Sequence, residues 1–196
     1  MRKELKFSLH ILFFMGVLFA PTGFAAEKYD VTAVETFDPF GIITGDFIGR
    51  FVSEGTVNCP GHEPVLNPTL PPCPAGSRTH IRTAVIETRV DSADERVAGL
   101  MTVQLNANWN ANFEGPLHGI FTILLDAGGA WAGTYEGQRI FDSALGVWKG
   151  TLHVRGKGFG GLVDGMKMMA EDQLESSFPM PIAYIGNIEG RIIDPN

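Results

Sequence analysis

The chain has 196 residues, 44% hydrophobic and 19% charged, with a formal charge of −7. The apolar content excludes a disordered chain, and the 24 glycines follow no three-residue period, which excludes collagen. The acidic balance speaks against a nucleic-acid or anionic-membrane partner, and the length suits one domain with its own core.

Residues 1–25 read as a secretory signal peptide. Arg2, Lys3 and Lys6 precede an apolar run from Leu9 to Ala20 that only His10 and Gly16 interrupt. Pro21 breaks the run, and Gly23 and Ala25 put small residues three and one before a cut. The run is shorter than the ~20 residues that span a bilayer, so cleavage is expected rather than retention as an anchor. No cysteine stands at the cut, which speaks against a lipoprotein. Cleavage removes three of the 15 Lys/Arg and one of the 22 Asp/Glu, leaving −9. No later segment is apolar enough to span a membrane. The expectation is a bacterial, exported protein, periplasmic or extracellular, with residues 26–196 as a single domain.

Strands are predicted at Tyr29–Thr36, Ile42–Thr56 (bent or broken near Gly45 or Gly49), His80–Val90, Val97–Asn106 and Leu117–Leu125. Further strands are predicted at Ala130–Arg139, Val147–Gly156, Leu162–Met169 and Tyr184–Ile193. Between the second and third, Cys59 and Cys73 flank a Pro-rich stretch, and in an oxidising compartment they should close one disulfide loop. A loop of about fifteen residues gives ~3 kcal/mol in the chain-entropy model. A metal site on Cys59, His62 and Cys73 is the weaker alternative, because it has only three soft ligands.

Alternation puts Met101, Val103, Leu105 and Trp109 on one face, and Trp148, Leu152 and Val154 opposite Lys149, Thr151, His153 and Arg155. One buried and one wet face marks an antiparallel sheet. Eight or nine short-linked strands fit an all-β antiparallel barrel of about eight strands, whose closure removes edges, with a sandwich as the alternative. Met166–Leu174 has helix propensity and resists this pattern.

The segments Trp131–Gly137, Gly146–Gly150 and Gly156–Met166, with Asp94–Gly99 before them, resemble a pattern of uncharacterised exported bacterial proteins. Their strand-and-glycine layout is similar to the barrel of allene oxide cyclases and related small-molecule barrels. The likeness covers about residues 80–193 and rests on glycine and aromatic spacing. It implies a fold and no reaction, and no cyclase catalytic residue finds a counterpart in this chain.

Gly156-Lys157-Gly158-Phe159-Gly160-Gly161 satisfies G-x-G-x-x-G, but no second parallel strand follows, so a barrel hairpin is expected and no cofactor. His62, His80, His118 and His153 form no paired motif, and no metal is expected. His118, between small and apolar neighbours, is the weak catalytic candidate together with Glu136. A satisfied structural histidine is the blander reading of His118. Glu136, Arg139, Asp142 and Asp164 are expected to be surface charge. Asn106, Asn108, Asn110 and Asn112 fit a strand leaving into a loop.

Trp109, Trp131, Tyr135, Met166 and Met168 are core candidates that would also wall an apolar ligand cavity. The leading expectation is an exported barrel binding a small apolar molecule, with the Cys59–Cys73 loop over one mouth. The alternatives are a cyclase or isomerase using His118 or Glu136, and a homo-oligomer that buries the outer face of Leu117–Leu125.

Overall fold

The computed structural model describes residues 26–62, 73–74, 76–176 and 183–195. The expected signal peptide, and residues 63–72 and 75 of the disulfide loop, lie outside the described residues. The fold is an all-β antiparallel sheet of ten strands. In chain order they are β1 (Glu27–Phe37), β2 (Arg50–Ser53), β3 (Thr56–Asn58), β4 (Thr79–Asp91) and β5 (Gly99–Trp109), followed by β6 (Gly115–Leu125), β7 (Ala130–Asp142), β8 (Val147–Phe159), β9 (Lys167–Ser176) and β10 (Tyr184–Asp194).

Strands β4 to β10 pair each with the next, and β10 pairs with β1 along its full length. Val34–Thr36 of β1 then pair with Arg89–Asp91 of β4, which closes a ring of eight strands. β2 and β3 pair with the rest of β4, where β1 no longer reaches it. No helix among the described residues is long and apolar enough to cross a membrane.

In–out alternation builds the core. Met101, Val103, Leu105 and Trp109 are buried, as the pattern predicts, while Thr102, Gln104 and Asn106 are half-exposed on the outside. One end of the ring is filled by Trp131, Val97, Val163 and Ile192, all essentially inaccessible. The indole N–H of Trp131 donates to the Arg96 carbonyl at 2.6 Å, so this burial leaves no polar atom unpaired. Trp131 faces Gly158 across the ladder, a large side chain set against none.

Two predicted strands need correction. Ile42–Thr56 is two short strands preceded by a loop, because the Asp38 carboxylate draws the backbone off the ladder. It accepts the N–H groups of Ile42, Ile43 and Thr44 at 2.7, 2.8 and 2.7 Å. Leu162–Met169 is a turn followed by a strand that starts at Lys167. Gly160 N–H donates to Asp164 Oδ1 within that turn. The helix-prone residues then become β9 because β8 and β10 pair with both of their edges. Pairing on two sides outweighs intrinsic propensity.

Cys59 and Cys73 are bonded, with Cα atoms 5.4 Å apart, so neither sulfur is available to a metal. Such a bond is the state expected in an oxidising compartment. The G-x-G-x-x-G stretch ends β8 and begins its turn, as expected for a hairpin.

Candidate functional site: a cavity with a buried carboxyl pair

The ring encloses a cavity of about 100 Å³. Its walls are mainly apolar, with Met101, Val103 and Leu105 from β5, Leu117 and Phe121 from β6, and Leu152 from β8. Toward one end lie Trp109, Arg139 and Trp148. The guanidinium carbon of Arg139 is 4.9 Å from the Trp109 ring centre and 5.6 Å from that of Trp148. Burial pulls the Arg139 pKa down to about 10, and cation–π contact helps the charge tolerate the site. Thr79, where β4 begins, pairs with Trp109, and the disulfide loop leaves β3 beside His80. The loop therefore departs from the Trp109 end of the cavity; its central residues are outside the described set.

Midway along the ring, four polar side chains converge on the cavity: Glu35 from β1, Asp172 from β9, Tyr184 from β10 and Tyr135 from β7. Glu35 and Asp172 are 3% and 2% exposed. The Tyr184 hydroxyl donates to Glu35 Oε1 at 2.5 Å, and the Tyr135 hydroxyl donates to the Gln104 carbonyl at 3.2 Å. Among the described residues, Asp172 Oδ1 is buried with no partner beyond the proton that the two carboxyls can share.

The carboxyls of Glu35 and Asp172 act on each other directly. Burial, then the neighbouring Asp172 charge, pushes Glu35 well above the usual carboxylate range. Burial also raises Asp172, and its hydrogen bond with Glu35 offsets part of that rise. Two like groups this close in a low-dielectric site retain a proton between them and titrate as a pair. Burial and the Glu35 charge raise both tyrosines, so they remain neutral donors.

Two glycines make these approaches fit. A Cβ on Gly119 would lie 2.8 Å from the Tyr135 hydroxyl and 1.8 Å from the Gln104 carbonyl it meets. A Cβ on Gly186 would lie 2.4 Å from Asp172 Oδ1.

Of the residues singled out from sequence, Trp109, Tyr135 and Met168 line the cavity. Trp131 instead fills the closed end, and Met166 is half-buried against the core outside the cavity wall. His118 and Glu136 require correction as catalytic candidates. They are exposed on the outer face and stand opposite each other in the β6–β7 ladder. Gly119 takes the inward position beside His118 because Tyr135 needs that space, so the histidine points out.

Arg139, expected at the surface, faces in, whereas Asp142 pairs with Lys149 at 2.9 Å on the periphery. His153 is outside, its Nδ1 3.7 Å from Glu171. Asn106 and Asn108 are on the outside of β5, and Asn110 holds the turn that contains Asn112, accepting the N–H groups of Asn112 and Glu114. No cluster of three His, Cys, Asp or Glu able to hold a metal forms among the described residues.

The carboxyl pair escapes a motif search because its members are 137 positions apart. The sequence does carry a signal for it. Val31, Ala33, Glu35 and Phe37 share one parity, as do Met168, Ala170, Asp172 and Leu174, so each acid stands in an inward row. No protein-family model, no curated protein and no solved structure matches the chain.

Proposed function

We propose that the ring is a barrel, as the allene oxide cyclase-like resemblance implies, in an exported protein that holds a small, mostly apolar molecule in its interior. The cavity carries this reading: apolar walls with a few convergent polar groups are the usual make-up of a small-molecule site. A dry apolar cavity of ~150 Å³ accepts benzene, so this volume of about 100 Å³ suits a ligand of a few heavy atoms. Glu35, Asp172 and Arg139 are costly to bury, and stability alone gives no reason to place them inside.

Methyl NMR on Met101 and Met168, both in the cavity wall, tests the proposal. Titration with benzene should shift both methyls saturably, and native mass spectrometry of protein from its own host should show a small added mass. Unmoved methyls and no added mass would remove this reading.

One observation favours a second reading, acid–base catalysis on an apolar substrate. A protonated carboxyl beside an ionised one gives an acid and a base in one site. Glu35 and Asp172 would take the roles that His118 and Glu136, facing out, do not fill.

A further inference from the structure

We infer that the cavity selects a ligand whose apolar body ends in a protonated amine, received by Asp172 Oδ1 and Glu35. This rests on the binding reading above and names the chemistry of its ligand. Three observations carry it. Among the described residues, Asp172 Oδ1 accepts nothing beyond the proton it can share with Glu35, and Asp172 lines the cavity and is almost inaccessible. A buried acceptor left unpaired is costly, and a ligand N–H would relieve that cost.

The second observation is charge. Among the described residues, the groups acting on Glu35 and Asp172 are each other and Tyr184, with no cation among them. A carboxyl pair that loses even one proton holds negative charge in an apolar surrounding, and a buried charge calls for a counter-charge. An ammonium supplies the charge and up to three N–H donors, where an alcohol supplies one donor and no charge.

The third is that, among the described residues, the one cation in the cavity wall is already engaged. Arg139, which would draw a carboxylate, stacks against Trp109 and Trp148 and is not among the groups acting on the carboxyl pair. A divalent metal is the poorer occupant, since no third His, Cys, Asp or Glu joins the two carboxyls among the described residues.

The test titrates the folded protein at neutral pH with pentan-1-amine, pentan-1-ol and pentanoate, read from the Met101 and Met168 methyls. The amine should bind at least about tenfold more tightly than the alcohol, the margin of a charge-assisted over a neutral hydrogen bond, and pentanoate should bind most weakly. Asp172→Asn, an isosteric change, should bring amine and alcohol to within about threefold of each other, because it removes the charge-assisted bond. Glu35→Gln should also weaken the amine and spare the alcohol, and it serves if the first variant does not fold. If neither variant folds, the wild-type ranking decides.

An alcohol or pentanoate that binds as tightly as the amine overturns the inference and leaves the cavity reading standing. If benzene and all three probes fail to bind, both fall.

Discussion

Two places on the β7–β8 ladder, eight residues apart, pair a large inward side chain with a glycine. Trp131 faces Gly158, and Arg139 faces Gly150. At the first, the gap is full: a Cβ on Gly158 would lie 1.9 Å from the Val163 carbonyl. At the second, a Cβ on Gly150 would come no nearer than 3.3 Å to Leu174, and the space beyond belongs to the cavity. The same pattern of large against small therefore yields close packing at one end and a charged, partly empty chamber at the other. Neighbouring strands decide which, since Val163 and Ile192 close the first place and β1 and β9 bring carboxyls toward the second.

The largest effect should come from the packed end. Trp131→Ala removes a fully buried indole and should cost about 3–5 kcal/mol in urea unfolding. A loss under 1 kcal/mol would mean that this end is not the anchor of the fold.

Opening the Cys59–Cys73 bond should cost about 3 kcal/mol, read as a lower urea midpoint for Cys59→Ser/Cys73→Ser. The loss should leave the closed end intact, which protection of the Trp131 indole N–H from hydrogen exchange would report.

The glycine pair sharpens the contrast most directly. Gly158→Ala must move the backbone and should destabilise by about 1–3 kcal/mol. Gly150→Ala should stay within about 1 kcal/mol of the parent, because only Leu174 has to give by a few tenths of an ångström. Equal effects would erase the distinction between the two ends.

The smallest effect is a pH dependence. Glu35 and Asp172 hold protons more tightly folded than unfolded, so the folded state binds more protons between the two pKa ranges. Stability from this pair is fully present below the unfolded carboxylate range near pH ~4 and is lost as pH rises through the raised folded values. Asp38 and Asp94 act oppositely. For Asp38, burial pushes upward but hydrogen bonds from Thr44, Ile42 and Ile43 hold the carboxyl low; Asp94 is lowered chiefly by its hydrogen bond to Arg96. Their contribution is lost as pH falls. The clean measurement is thus a difference: Asp172→Asn should have a higher urea midpoint than the parent at pH 8, and the gap should close by pH 4. A gap independent of pH would show that the pair does not carry the shifted protons.

The strands were legible because an antiparallel strand writes its two faces into alternate residues, and β5 and β8 do so plainly. The disulfide followed from two cysteines around a Pro-rich stretch. β9 was hidden, since Met, Ala, Glu and Gln favour a helix until two neighbours hydrogen-bond its edges. The aromatic half of the site was partly legible: Trp109, Tyr135 and Met168 line the cavity, whereas Trp131 shares their chemistry and fills the core. Composition cannot separate a wall from a plug.

The amino-acid sequence by itself determined an all-β chain of alternating strands with one loop closed by a disulfide, because alternation and cysteine placement are local properties of the chain. Only the tertiary structure decided that Glu35 and Asp172 meet, that His118 points away, and that one end of the ring is hollow. Those outcomes depend on ring closure and on register across strands distant in sequence. There a one-residue shift would exchange inside for outside.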